Sequence, residues 1–136
     1  MRPNRILLVD DSTGDAELMR LALAELRPDC VLEVAADGEQ ALALLAAGEL
    51  PDLMVLDLNL PRLSGHEVLA DIRAARDPRV RRLPVVVLTT SASPDDVLRS
   101  YDLFASSHIV KPPDVDRLFE LVETLARYWF GAVALP

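Results

Sequence analysis

Leu53-Met54-Val55-Leu56-Asp57-Leu58-Asn59-Leu60-Pro61 is the stretch on which the fold turns. Four apolar residues run unbroken into an acid, with Pro51 before the run and Pro61 after it. A run this short between prolines reads as a strand rather than a helix. Because polar residues do not alternate within it, it reads as a strand buried on both faces, as in a parallel sheet. In an open α/β sheet, ligands bind just beyond the carboxyl ends of the strands, and Asp57 stands at that end. Taken alone, Asp57 reads equally well as a plain loop residue or helix cap and as a site residue.

Three further runs share the pattern. Arg5-Ile6-Leu7-Leu8-Val9 ends in Asp10 and Asp11, and Pro84-Val85-Val86-Val87-Leu88 ends in Thr89-Thr90-Ser91. His108-Ile109-Val110 is shorter and ends in Lys111-Pro112. Collected at one sheet edge, these four ends supply three carboxylates, a hydroxyl and an ammonium.

Between the strands lie helix signals. Ser12-Thr13-Gly14-Asp15 opens a helix whose apolar positions (Ala16, Leu18, Met19, Leu21, Ala22, Leu23, Leu26) recur at helical spacing, and Pro28-Asp29 ends it. Val31 to Ala35 is a strand whose single charge, Glu33, predicts a more exposed place. Asp37-Gly38 turns into a helix that Gly48 closes, and Ser64-Gly65 opens the next, carrying Val68, Leu69 and Ile72. Pro78 breaks the chain ahead of the Pro84 strand. Ser93-Pro94-Asp95-Asp96 reads as an N-cap with proline at the first helical position and acids in the first turn. Pro112-Pro113-Asp114 starts a last helix running to about Phe130. Five strands alternating with five helices imply right-handed crossovers and a parallel sheet covered on both faces. The expected class is α/β, (βα)5, doubly wound and flavodoxin-like, with strand order 2-1-3-4-5, which sets Asp10 and Asp11 beside Asp57 at the switch point.

Length and composition bound the rest. The 136 residues suffice for one domain with a real core. No apolar run approaches the roughly 18 residues of a membrane span, and no signal peptide opens the chain. A single cysteine, Cys30, leaves no internal disulfide, so a reducing cytoplasm is the expected location and Cys30 an unreactive core or turn residue. The net charge of −8 argues against nucleic acid. Arg73, Arg76, Arg79, Arg81 and Arg82 form the one basic cluster, read first as a solvated loop and second as a partner-docking patch. His66, at a helix start, reads as a surface residue.

Three clustered carboxylates repel one another unless a hard cation neutralises them, and an all-oxygen site with few protein ligands favours Mg²⁺. A carboxylate that accepts a phosphoryl group needs neutralised charge and positioning more than acid–base help. Mg²⁺, the Lys111 ammonium and the Thr89 hydroxyl would supply them. There is no Gly-rich phosphate loop, and the two histidines, His66 and His108, do not complete a Ser–His–Asp set.

These residues resemble the receiver domains of two-component response regulators. The resemblance rests on Ile6 to Asp11 as first strand and acidic pair, and on Leu56 to Pro61 with Gly65 as the phosphoacceptor segment. Pro84 to Thr89 resembles the switch strand, and Lys111-Pro112 the lysine–proline pair; together the match covers about residues 4–127, leaving a helix end and apolar tail at about 128–136 of a single receiver domain spanning 1–136. Leu88-Thr89-Thr90-Ser91 and the Trp129-Phe130…Leu135-Pro136 ending resemble the stand-alone regulators that partner phytochrome-type histidine kinases.

That resemblance implies that Asp57 accepts phosphate from a kinase phosphohistidine. It implies that Asp11, Asp57 and the Asn59 carbonyl bind Mg²⁺ directly, with Asp10 acting through water. Lys111 would hold one phosphoryl oxygen and Thr89 would move to bond another. It also implies a signalling phosphoacceptor, not a metabolic enzyme, with output through protein contacts or onward transfer to a histidine carrier. The sequence departs from the family at Thr90, larger than usual beside the switch residue and able to narrow access to the phosphate. It departs again at Pro113, where phenylalanine is common, and at His108, which replaces the usual switch aromatic. Two rival readings fit the residues less well. A haloacid-dehalogenase-type phosphohydrolase would carry its nucleophile after the first strand, and a flavodoxin-like carrier would meet Asp10 and Asp11 where a cofactor phosphate should sit.

All six aromatics follow residue 100: Tyr101, Phe104, Phe119, Tyr128, Trp129 and Phe130. On the last helix, Leu118, Leu121, Val122, Leu125 and Trp129 make one apolar stripe, and Val115, Phe119, Ala126 and Phe130 a second. A helix apolar on two faces is usually buried on both. A homodimer through the fourth and fifth predicted helices is therefore expected, involving Tyr101, Phe104, Phe119, Trp129 and Phe130. Gly131 is expected to end the helix and leave Ala132 to Pro136 as an apolar tail; the alternative is that this tail folds back on its own molecule and hides the second stripe.

Overall fold

A computed structural model describes residues 2–136. Five strands, β1 (Arg5–Val9), β2 (Val31–Ala35), β3 (Leu53–Leu56), β4 (Val85–Thr89) and β5 (Ser107–Val110), form one parallel sheet in the order β2-β1-β3-β4-β5. The expected doubly wound topology is the observed one. The three central strands are almost wholly buried because they pack on both faces: alternate residues belong to separate cores. Leu7, Val9, Met54, Leu56, Val85 and Val87 face one core; Ile6, Leu8, Leu53, Val55, Val86 and Leu88 face the other. The β2 strand with Glu33 is a half-buried edge.

The helices α1 (Thr13–Leu26), α2 (Gly38–Ala46), α3 (Gly65–Arg73), α5 (Pro94–Asp102) and α6 (Val115–Arg127) occupy the predicted segments. Each starts on the residue whose side chain can accept a free amide: Ser12, Asp37, Ser64, Ser93 and Asp114 all accept from a backbone N–H of the first turn. The first core is roofed by α2 and α3, the second by α1 and α6.

Four expectations need correction. First, Pro78–Arg81 is a short helix, α4, capped by Asp77, where a plain break was expected. The arginines around it are not simply solvated. Arg73 donates to the carbonyls of Phe104, Arg81 and Leu83, and Arg81 to those of Ala75 and Arg76. Second, Gly131 does not end the last helix. The chain widens into a π-helical turn, Tyr128–Ala132, closed by Val133 N–H donating to the Tyr128 carbonyl at 2.9 Å. The tail then turns back on its own molecule, where Leu135 and Pro136 line a cleft with Arg2, Leu50, Pro51 and Pro84. Third, the second stripe of α6 is not free: Ala126 is buried, and Phe119 and Phe130, like Trp129, pack partly against the second core. The large apolar side chains left exposed are instead Leu21 on α1, Leu98 and Tyr101 on α5, Phe104 after it, Val110 on β5, Val115 on α6 and Tyr128 in the π-helical turn. Fourth, His66 is buried, 8% exposed, against α5.

Candidate functional site

The ladder hydrogen bonds carry on past the strand ends and set the site residues side by side. Asp10 N–H donates to the Ala35 carbonyl at 3.0 Å, Asp57 N–H to the Val9 carbonyl at 2.9 Å, and Lys111 N–H to the Thr89 carbonyl at 2.7 Å. Asp10, Asp57 and Thr89 are buried; Asp11 and Asn59 are exposed. One carboxylate oxygen from each of Asp10, Asp11 and Asp57 lies within 4.8 Å of the others. This all-oxygen donor set, partly open to solvent, suits a hard divalent cation. Asn59 adjoins it, its N–H donating to Asp57 Oδ1 at 3.3 Å.

Lys111 closes the cluster. Its Nζ donates to Asp10 Oδ2 at 2.9 Å, to Asp57 Oδ2 at 3.2 Å and to Asp15 Oδ2 at 2.8 Å. Burial works to lower the Lys111 pKa, but the hydrogen bonds to Asp15 and Asp10 and the charges of Asp10 and Asp57 outweigh it and hold the amine well above its ordinary value. Burial is also the main influence on Asp10, lifting its carboxyl above the usual range against the opposing bonds from Lys111 and the Ser12 amide. Among the described residues, Thr89 Oγ1 meets only the Ser91 N–H, at 3.4 Å, a long contact that leaves the hydroxyl free to rebond. Thr90 is exposed at the rim. Cys30 lies at the start of β2, its thiol pushed up to about 11 by burial and then by Asp29, as an unreactive cysteine should be.

Beneath this rim runs a polar chain that the sequence did not announce. His108 Nε2 lies 3.0 Å from the Ser91 carbonyl and Nδ1 2.8 Å from Ser100 Oγ. The same Oγ lies 3.0 Å from His66 Nε2 and 3.0 Å from the Asp96 carbonyl, to which it can donate. Ser100 is fully buried. The Tyr101 hydroxyl accepts from the His108 backbone N–H at 3.2 Å, and Ser91 Oγ donates to Asp96 Oδ2 at 2.6 Å. His108 is thus fixed from both ring nitrogens. Asp15 was the other omission: four residues after Asp11 on a helix start, its only sequence signal was that spacing.

Residues 6–123 match the response regulator receiver domain model. The chain is 41% identical over 140 residues to the response regulator Rcp1 of Synechocystis sp., a match taking in 98% of this chain and 94% of that protein. The phosphorylated cyanobacterial phytochrome response regulator RcpA superposes with a TM-score of 0.92 at 38% identity, covering 98% of this chain and 99% of that one. The Mn²⁺-bound form of Rcp1 superposes with a TM-score of 0.89 at 39% identity and the same coverage.

Proposed function

The chain belongs to the response regulator receiver domain family, and from that premise we propose that Asp57 is a phosphoacceptor served by a sensor histidine kinase of the phytochrome type. The observation that supports this most is the buried Asp57 carboxylate held between the acidic cluster and the Lys111 ammonium. An Asp57 oxygen attacks the phosphorus of the donor phosphohistidine. The P–N bond breaks with its electron pair staying on the imidazole, and an acyl phosphate forms on Asp57. Asp10, Asp11, Asp57 and the Asn59 carbonyl would hold Mg²⁺, which when bound supplies positive charge to the phosphoryl oxygens. The Mn²⁺-bound relative is consistent with a divalent site of this kind. Lys111 donates to a phosphoryl oxygen in place of Asp57 Oδ2, and Thr89 turns its hydroxyl toward another. Thr90 borders the entrance. His108, tied to Ser91 and Ser100, takes the part of the coupling side chain between the Thr89 loop and α5.

The domain acts as a switch and not as a metabolic enzyme, passing its state on by protein contacts or by onward transfer to a histidine carrier. The exposed Leu98, Tyr101, Phe104, Val110 and Val115 fit pairing of two copies through α5, β5 and α6. Among the described residues, no helix is long and apolar enough to cross a membrane. The test is labelling by acetyl phosphate with Mg²⁺: wild type should form a labile phosphoprotein and Asp57→Asn none. Equal labelling of Asp57→Asn would overturn the assignment.

A further inference from the structure

Lys111 has three N–H bonds and all three are used, on Asp10, Asp57 and Asp15. The three acceptors are not equivalent. Asp10 and Asp57 belong to the carboxylate cluster that a divalent cation would occupy; Asp15 lies outside it, on the first turn of α1. Its contact with Nζ, 2.8 Å, is the shortest of the three. On the reading given above, the other two bonds are weakened when the site works. A divalent cation held at the carboxylate cluster would compete with the amine for the Asp10 and Asp57 oxygens, and after transfer the phosphoryl oxygens would take over the amine's bond to Asp57. Asp15, outside the cluster, takes part in neither event. A lysine side chain left without an anchor regains rotamer freedom on four carbons, and its ammonium then spends less time where the phosphoryl oxygens develop charge.

We propose that Asp15 is a positioning residue for phosphoryl transfer: a counter-ion that holds the Lys111 ammonium at the phosphoryl site when metal and phosphate have claimed its other partners. This rests on the reading of Asp57 as phosphoacceptor. The geometry also fits its place on the chain. Asp15 N–H donates to the Ser12 cap, which orients the first turn, and the half-exposed carboxylate reaches inward to a nearly buried amine. The sequence separation of 96 residues hid the pair.

The experiment measures phosphorylation of the full chain by acetyl phosphate at saturating Mg²⁺. In that reaction Asp57 attacks phosphorus, the P–O bond to the acetyl group breaks, and acetate leaves with the electron pair. Wild type, Asp15→Asn, Asp15→Glu, Lys111→Ala and the Asp15→Asn/Lys111→Ala pair are compared. Asp15→Asn should lower the saturated rate about tenfold, with half-saturating donor concentration and Mn²⁺ affinity changed less than about twofold. Asp15→Glu should restore most of the rate. In the Lys111→Ala background Asp15→Asn should change nothing, because its partner is gone. Thermal unfolding of each variant separates loss of fold from loss of rate. An unchanged or raised rate in folded Asp15→Asn, an equal effect with and without Lys111, or a parallel loss of Mn²⁺ affinity would each overturn the proposal. Failure of wild type itself to label would instead overturn the phosphoacceptor reading.

Discussion

Replacement of Gly65 by alanine tests whether the phosphoacceptor loop and the start of α3 are packed backbone to backbone. A Cβ built at Gly65 lies 2.3 Å from the Asp57 carbonyl oxygen, 2.7 Å from Leu58 Cα and 3.0 Å from the Asp57 carbonyl carbon. Ordinary contacts begin at about 3.5 Å, so the overlap is about an ångström and no side chain can rotate to relieve it. The helix start must back away from the loop, straining the Gly65 N–H bond to the Leu58 carbonyl, 3.0 Å long. Overpacking costs about 1–3 kcal/mol and a lost hydrogen bond about 1 kcal/mol, giving about 2–4 kcal/mol in all. For a domain of this size about 4 °C accompanies each kcal/mol, so the Tm should fall by about 8–16 °C. Two controls calibrate the value. At Gly38 the close atom is the Val68 Cγ2 methyl, 2.5 Å away, a side chain that can shift, so Gly38→Ala should lose less. At Gly131 nothing lies within 4 Å, and Gly131→Ala should unfold within about 2 °C of wild type. The assay is circular dichroism melting of all three variants, with acetyl phosphate labelling alongside. A Gly65→Ala melting point matching that of Gly131→Ala would refute the close approach.

Three other outcomes are expected. Burial, then the Arg99 charge, lowers the His66 pKa below its ordinary 6.5, so the folded chain binds fewer protons than the unfolded chain as pH falls through 6.5. Stability contributed by neutral His66, facing Ser100, Asp96, Arg99 and His108, is complete above that range and lost below it; urea unfolding at pH 7.5 and 5.5 should show a smaller acid loss for His66→Gln, and identical losses would refute this. Thr90→Ala should speed labelling by small phosphodonors if the side chain borders the entrance, and equal rates would place it elsewhere. Phe104 is 73% exposed and holds a φ of 65°, a left-handed conformation costly for a bulky residue. Phe104→Gly should therefore stabilise the monomer by about 1 kcal/mol. In light scattering at micromolar concentration, wild type should show twice 14.9 kDa and Phe104→Gly should weaken the dimer; a wild-type monomer would remove pairing from the account.

Local pattern was enough to give the five strands and the starts of the five long helices, though not the short helix at Pro78–Arg81. Unbroken apolar runs such as Leu53 to Leu56 have a single economical fate in a chain of this size, burial on both faces, and the caps Ser12, Asp37, Ser64, Ser93 and Asp114 act on amides only three residues away. Asp10, Asp11, Asp57, Thr89 and Lys111 were legible as strand ends because a parallel sheet delivers all its carboxyl ends to one edge. Tertiary structure alone decided which long side chains meet across that edge. Lys111 reaches Asp15 over 96 residues, and His66 and His108 meet on one serine hydroxyl from α3 and β5. The path of the tail and the cover over Phe119 and Ala126 were likewise beyond local pattern. Periodicity says which residues share a face but not which neighbour covers it. That depends on how two helices and a returning chain divide the same apolar surface, a free-energy difference spread over contacts distant in sequence.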